Sequence, residues 1–200
     1  MGDTVDLQRV RQGGQKQLHH AQLAGSNLEG ADLVEADLSQ ADLRGSVLNG
    51  AKLQKANLRA NLRGVDLMGA DLKGADLRGA DLRGTVLLEA ETATASFAGA
   101  FLAGAVLSNL NLINVDFRGA DLRGASLTGA ILIGADLSSA NLSGADLSRA
   151  NLEEANLAGA VMRGTNLTRA NLLCARVEQT TLDGAVLDGA CLEGTPLMPM

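Results

Sequence analysis

The sequence predicts an all-β solenoid, a chain of short extended pieces joined by turns, on three observations. A leucine or its substitute recurs every fifth residue at thirty-seven central positions, nine from Leu18 to Leu58 and twenty-eight from Leu62 to Leu197. The residue two before it is nearly always alanine, as in the run Ala-Asp-Leu-Lys-Gly, Ala-Asp-Leu-Arg-Gly, Ala-Asp-Leu-Arg-Gly over residues 70–84. A helix needs apolar residues at a period of 3.6 and a half-buried strand at 2, so a strict five fits neither. The third observation is a column at twenty: Gly64, Gly84, Gly104, Gly124, Gly144, Gly164 and Gly184 are unbroken, while the other places tolerate Glu89, Asn114, Arg149 or Gln179. Four repeats per coil follow. Glycine suits a corner needing positive φ or close backbone approach, so this column reads as one corner stricter than the other three.

Ala-(Asp/Asn)-Leu-X-X in tandem resembles the pentapeptide-repeat proteins, a bacterial family with many cyanobacterial members, and the resemblance covers residues 16–197. It implies a right-handed quadrilateral β-helix with one repeat per side, four pentapeptides per coil and about nine coils, a rod some 45 Å long at roughly 4.8 Å per coil. The residues agree with that geometry. With Leu and Ala pointing inward, a narrow interior holds one large and one small side chain per side, and the remaining three face water or turn the corner. Such a rod stabilises each coil by its neighbours, each buried Leu contributing roughly 1.5–3 kcal/mol.

Residues 1–15 precede the repeat. Thr4 to Gln12, with Val5, Leu7 and Val10 before Gly13-Gly14, reads as a short helical or irregular segment ending at glycine, a cap for the first coil. Residues 16–197 form the solenoid and 198–200 a tail, with Pro196 and Pro199 removing backbone donors and stopping propagation. One slip interrupts the period: Leu58 and Leu62 are four apart, so residues across it should superpose at nineteen, Leu43 with Leu62 and Gly45 with Gly64. It reads either as a deletion that tightens a corner or as a bend between two binding segments. From Thr85 to Phe117 the motif degrades, with Thr92 at a central position, Phe97 and Phe117 enlarging two others, and Leu110 and Val115 at the small inward position.

Composition excludes several function classes. A net charge of -6 argues against nonspecific binding to nucleic acid or anionic membranes. No apolar run approaches the ~18 residues of a membrane span. Met1-Gly2-Asp3-Thr4-Val5 is not the basic start of a secretory signal, so cytoplasmic residence is the default expectation. Cys174 and Cys191, both outward, read as free thiols, and with no His or second Cys pair beside them no metal site is expected. His19 and His20 read as surface residues. Asp66, Asp71, Asp76, Asp81, Asp116, Asp121, Asp136 and Asp146 occupy the second repeat position and read as solvated faces rather than paired catalytic carboxylates. There is no Gly-Lys-Ser/Thr loop, and the expected surface is convex and monotonous, so no catalytic residue, no cofactor and no enzyme is expected.

Binding remains. Met68, Val86, Leu88, Val106, Ile113, Ile131 and Ile133 replace polar residues at outward positions on two adjoining sides, a candidate patch for a protein partner or a second copy, with β-propensity on a solvated face as the alternative. The best-known activity among the proteins this chain resembles belongs to quinolone-resistance members that look like DNA and bind the type II topoisomerase gyrase. In favour of that reading stand the rod shape, the acidity, and Glu29, Asp32, Glu35, Asp37 and Asp42 with no base among them. Against it stand a side striped with Arg63, Arg83, Arg123 and Arg163, the lack of a large projecting loop, and repeats with less central Phe than those members use. A non-enzymatic protein-binding scaffold therefore ranks first, gyrase-directed DNA mimicry second and an enzyme third.

Overall fold

The computed structural model describes residues 5–197. The helix among them, α1 (Leu7–Arg11), is N-capped by Asp6, whose carboxylate accepts from the N–H groups of Gln8 and Arg9. α1 buries Val10 completely, and Arg11 O accepts from Asp32 N at 3.0 Å, so the leader lies against the first coil as a preceding rung would. Gly13 is required where it sits: its φ is +74°, and a Cβ there would stand 3.1 Å from Asp32. Thr4 and the tail from Met198 through Pro199, which figure in the sequence reading, lie outside the described residues.

From residue 17 onward the chain is a ladder of parallel bridges, one at nearly every repeat and twenty residues apart except across the slip, as in Gln17↔Asp37, Gln22↔Asp42, Asn27↔Val47 and Asp32↔Lys52. Bridges at twenty in a repeat of five make four sides, here numbered from the repeats centred on Leu18, Leu23, Leu28 and Leu33. Each rung uses the same three bonds: Leu23 N donates to Asp42 O, Gly25 N to Arg44 O, and Asp42 N to Ala21 O. Corners close with a fourth, as when Ala21 N donates to Leu18 O at 3.0 Å. The inward backbone groups of a regular repeat are thus all paired, which is what permits so narrow a core. That core is dominated by fully buried leucines and alanines, with Phe97 and Phe117 stacked on side 1 at a centroid distance of 5.1 Å.

At every full corner the third turn residue has positive φ while the second does not, as in a type II turn. This corrects the reading of the glycine column. The φ values are 55–61° at the fourteen non-glycine corners, which lie on sides 1, 3 and 4, and 61–73° at the corner glycines of all four sides. A Cβ on Gly64, Gly84, Gly104, Gly124 or Gly144 would meet nothing within 4 Å. Side 2 is therefore no stricter than the rest, and nothing in the structure explains why its glycines are unbroken.

The second repeat position has a function that the sequence reading missed. Its Asp or Asn Oδ1 accepts from the N–H two residues on, as in Ser39 N to Asp37, Met68 N to Asp66, Glu153 N to Asn151 and Thr168 N to Asn166. The carboxylates are thus not merely solvated: each ties down an outward N–H at the entrance to a turn. Arginines of side 2 use the same carboxylates, mostly along the strand, although Arg163 reaches Asp183 in the next coil at 3.4 Å. Arg83 grips Asp81 and Arg123 grips Asp121 through two nitrogens each, as Arg78 grips Asp76 and Arg118 grips Asp116 on side 1.

Hydrogen bonds from those guanidiniums, followed by the backbone N–H, hold Asp76, Asp81, Asp116 and Asp121 below the usual carboxylate range, against the opposing effect of partial burial. A lowered folded-state pKa contributes stability above the unfolded value near 4 that is lost as pH falls through the folded one. The unfolding midpoint is expected to be flat from about pH 8 to 5 and to drop only below about pH 4, each exposed pair contributing ~1 kcal/mol at most. A drop between about pH 7 and 5 in a thermal melt would contradict this origin.

The slip is seen directly. Asp42↔Asn61, Val47↔Asp66, Lys52↔Asp71 and Asn57↔Asp76 are nineteen apart, and spacing returns to twenty at Asn61↔Asp81. Leu43 N accordingly donates to Asn61 O and Gly45 N to Arg63 O. The shortening falls on the corner between sides 1 and 2.

Candidate functional site

Sides 3 and 4 carry the candidate patch. On side 3 Val86 bridges Val106, with Met68 and Leu88 two residues beyond the second-position column; on side 4 Ile131 bridges Asn111, and Asn114 N donates to Ile133 O. Met68, Ile113 and Ile131 are 38%, 39% and 37% exposed, and Val86, Leu88, Val106 and Ile133 are half-buried. The structure groups the seven as a side 3 cluster and a side 4 cluster, on either side of the corner at Glu89 and Asn109. The apolar residues at the second position also give up a bond. Where Asp66 holds Met68 N, Val86 and Val106 offer no acceptor to Leu88 N and Ser108 N.

Between the two clusters the ladder opens, which the sequence did not foretell. Among the described residues Glu89 N, Thr92 N, Thr94 N and Asn111 N have no backbone acceptor, and no bridge joins Glu91 to Asn111. The cause is local. Thr92 is almost fully buried, and its hydroxyl donates to Asn111 O at 2.8 Å, the carbonyl that by the rule of the regular rungs would take the N–H of Thr92. A buried hydroxyl must find an acceptor, and this one displaces its own backbone. Leu110, where other repeats have alanine, thickens the adjoining rung, and its turn bond to Leu107 O stretches to 3.4 Å. The result is a groove of about 640 Å³ lined by Glu89, Glu91, Thr94, Asn109, Ile113 and Asn114.

The surface is therefore not uniformly convex, and a second recess of about 520 Å³ lies at the slip, on sides 1 and 2. Thr92 was visible in the sequence as a lapse in the pattern, though not its competition for a carbonyl. Phe101, 49% exposed on side 2, was passed over although it stands in a column between Asp81 and Asp121. Amide exchange tests the opening: Glu89, Thr92, Thr94 and Asn111 should exchange orders of magnitude faster than Leu87, Phe97 and Leu107 in the same coils. Equal protection would mean that the ladder is closed in solution.

The acidic group Glu29, Asp32, Glu35, Asp37 and Asp42 does not share a face. Glu29 lies on side 3, Asp32 and Glu35 on side 4, Asp37 on side 1 and Asp42 on side 2. Most also have partners the sequence stretch did not reveal: Lys16 at 3.5 Å from Asp32, Lys55 at 3.5 Å from Glu35, and Arg44 at 2.6 Å from Asp42. Asp37 is held below the usual carboxylate range by the hydroxyl and N–H of Ser39. Cys174 and Cys191 are exposed free thiols on side 4. Among the described residues no group of three His, Cys, Asp or Glu could hold a metal ion, and no helix is long and apolar enough to cross a membrane.

The family model for pentapeptide repeats matches residues 21–59, 59–87, 95–129, 130–169, 145–183 and 162–197, stopping at 87 and resuming at 95 on either side of the Thr92 opening. HetL, a pentapeptide repeat protein involved in heterocyst differentiation regulation from the cyanobacterium Nostoc sp. strain PCC 7120, is 36% identical over 92% of this chain and 92% of its own, with a TM-score of 0.41. A pentapeptide repeat protein of the Arabidopsis thaliana thylakoid lumen is 39% identical over 50% of this chain and 70% of its own, with a TM-score of 0.49. QnrB1, a plasmid-mediated fluoroquinolone resistance protein, is 23% identical over 88% of each chain, with a TM-score of 0.35. No match is found among curated proteins. With the repeat matched over most of its length and wound four to a coil, this chain belongs to the pentapeptide repeat family.

Proposed function

We propose that this protein is a non-enzymatic binding rod whose partner, another protein or a second copy of the chain, docks on sides 3 and 4 around the Thr92 opening. The observation that carries this reading is the coincidence of two departures from the repeat in the same coils. Apolar side chains replace acceptors at Val86, Val106 and Ile131, and the backbone ladder parts beside them to leave N–H groups without a backbone acceptor. Either alone would be unremarked variation. Together they combine apolar area with unbonded backbone donors, which is what an extended segment of a partner needs. The test is capture by the immobilised rod, compared between the native chain and V86D/V106D. A bound species retained equally by both would move the site elsewhere.

A second reading, mimicry of DNA toward gyrase, is favoured by the distribution of charge. Sides 3 and 4 carry twelve Asp and Glu against five Lys and Arg, whereas sides 1 and 2 carry nine against ten. An acidic half-cylinder could face a DNA-binding surface even though the Arg-striped side could not. Under this reading the protein inhibits or protects gyrase in a supercoiling assay, and added salt weakens the effect as the charges are screened. No effect at micromolar protein leaves the scaffold reading in place.

A further inference from the structure

The recess at the slip lies on sides 1 and 2, and it has the makings of an anion site. Every other corner spends two residues on its turn. Between Leu58 and Leu62 one is missing, while the corners below and above, at Gln40 and Gly79, keep their full turns with φ of 58° and 67°. The shortened corner is thus set back between two full ones. Two backbone groups lose their partners there. The residue that would have donated to Arg78 O does not exist, and Ala60 N, which should have closed the turn, has no acceptor. Ala60 is 7% exposed and lines the 520 Å³ recess together with Gln40, Arg59, Asn61, Asp81 and Phe101. Arg59 also lines an adjoining hollow of about 350 Å³ that reaches Arg78.

The charges around this recess are unequal. Asp42, Asp76 and Asp81 are each already held by an arginine, Arg44, Arg78 and Arg83. Arg59 and Arg63 have no carboxylate within 4.0 Å among the described residues. A chain of net charge -6 therefore presents an excess of unpaired guanidinium at its slip, beside an unbonded N–H and an exposed aromatic ring. A guanidinium fork matches a carboxylate through two parallel hydrogen bonds. The aspartates in the same wall disfavour a doubly charged anion such as phosphate, since each added negative charge meets them as well as the arginines.

We propose that the slip at residues 58–62 is a second binding site, one that takes a carboxylate side chain from an acidic segment of a protein partner. Arg59 engages the carboxylate, the Ala60 N–H supplies a further donor, and Phe101 packs on the segment's aliphatic stem. The site does not depend on the reading of sides 3 and 4. The four-residue repeat is, on this view, the means by which a convex rod acquires a concave site: deleting one corner residue makes the hollow and leaves Ala60, in its wall, with an N–H that has no acceptor.

The test is fluorescence anisotropy with a fluorescein-labelled hexaglutamate peptide. The native chain should bind it and lose affinity with added salt, and R59Q should bind at least about tenfold more weakly. Inserting one glycine between Arg59 and Ala60 restores the five-residue period and should abolish binding, with thermal unfolding showing the rod intact. R169Q, which removes an exposed cation from side 3, should bind as the native chain does. The proposal is overturned if the peptide does not bind at millimolar concentration, if R59Q binds unchanged, if R169Q loses as much as R59Q, or if inorganic phosphate competes better than butyrate, which carries one carboxylate on an aliphatic stem. Should the glycine insertion fail to fold, R59Q against R169Q still decides.

Discussion

Leu127→Asp is expected to destabilise the rod by on the order of 4–6 kcal/mol, combining the loss of a buried leucine with the burial of a carboxyl group that has no partner. Leu127 is fully buried on side 3, stacked between Leu107 and Leu147, and the inward side chains of its own coil are all apolar, Val115 and Phe117 among leucines and alanines. The carboxyl group could escape ionisation by holding its proton, but the hydroxyl would still lack an acceptor, because the ladder already uses the nearby carbonyls. In a solenoid each coil is stabilised by its two neighbours, so a defect at the middle uncouples two halves. The same substitution at Leu187 should cost much less, since that leucine is only partly buried in the last coil. Denaturant melts of the two variants would settle it. Equal midpoints for L127D and L187D, or an unchanged midpoint for L127D, would mean that the inward leucine column does not hold the rod together.

That contrast shows what was legible in the sequence. A column of leucines at a period of five states the fold class outright, because every fifth residue meets the same physical demand, whereas the glycines at twenty marked the right number of sides without any demand that singles out their corner. The slip was legible for the same reason: one missing residue between Leu58 and Leu62 brings partners that span it to nineteen apart, and Asp42 duly bridges Asn61. The Thr92 opening was not legible. It depends on which of two donors on one residue takes the carbonyl of Asn111, and that choice is made by packing between coils, with Leu110 thickening the rung above. Nor was the role of the second-position Asp and Asn legible, although it decides how an apolar residue there should be read. Without the turn bond, Val86 is a solvated β-face residue. With it, Val86 stands where a hydrogen bond has been given up.

This last point governs the expected behaviour of V86D/V106D. Each substitution would place a carboxylate where Asp66 already accepts from Met68 N, so Leu88 N and Ser108 N gain the acceptor they now lack. Each such bond contributes roughly 0.5–1.5 kcal/mol, offset in part by repulsion between the two new carboxylates and that of Asp66 in one column. Net stability should therefore change by less than about 1 kcal/mol, whereas association at this surface should be lost, since buried apolar centres dominate docking energies. V86N/V106N makes the same hydrogen bonds without the charge, so it separates loss of apolar contact from electrostatic repulsion: if the contact is apolar, both pairs abolish binding. The measurements are a thermal melt and size-exclusion or capture of the bound species. If both pairs melt like the native chain and still associate, the apolar side chains of Val86 and Val106 are a solvated face and the docking surface does not include them. If only the aspartate pair loses association, the partner is itself acidic where it meets side 3, and the scaffold reading would stand with a different chemistry at its centre.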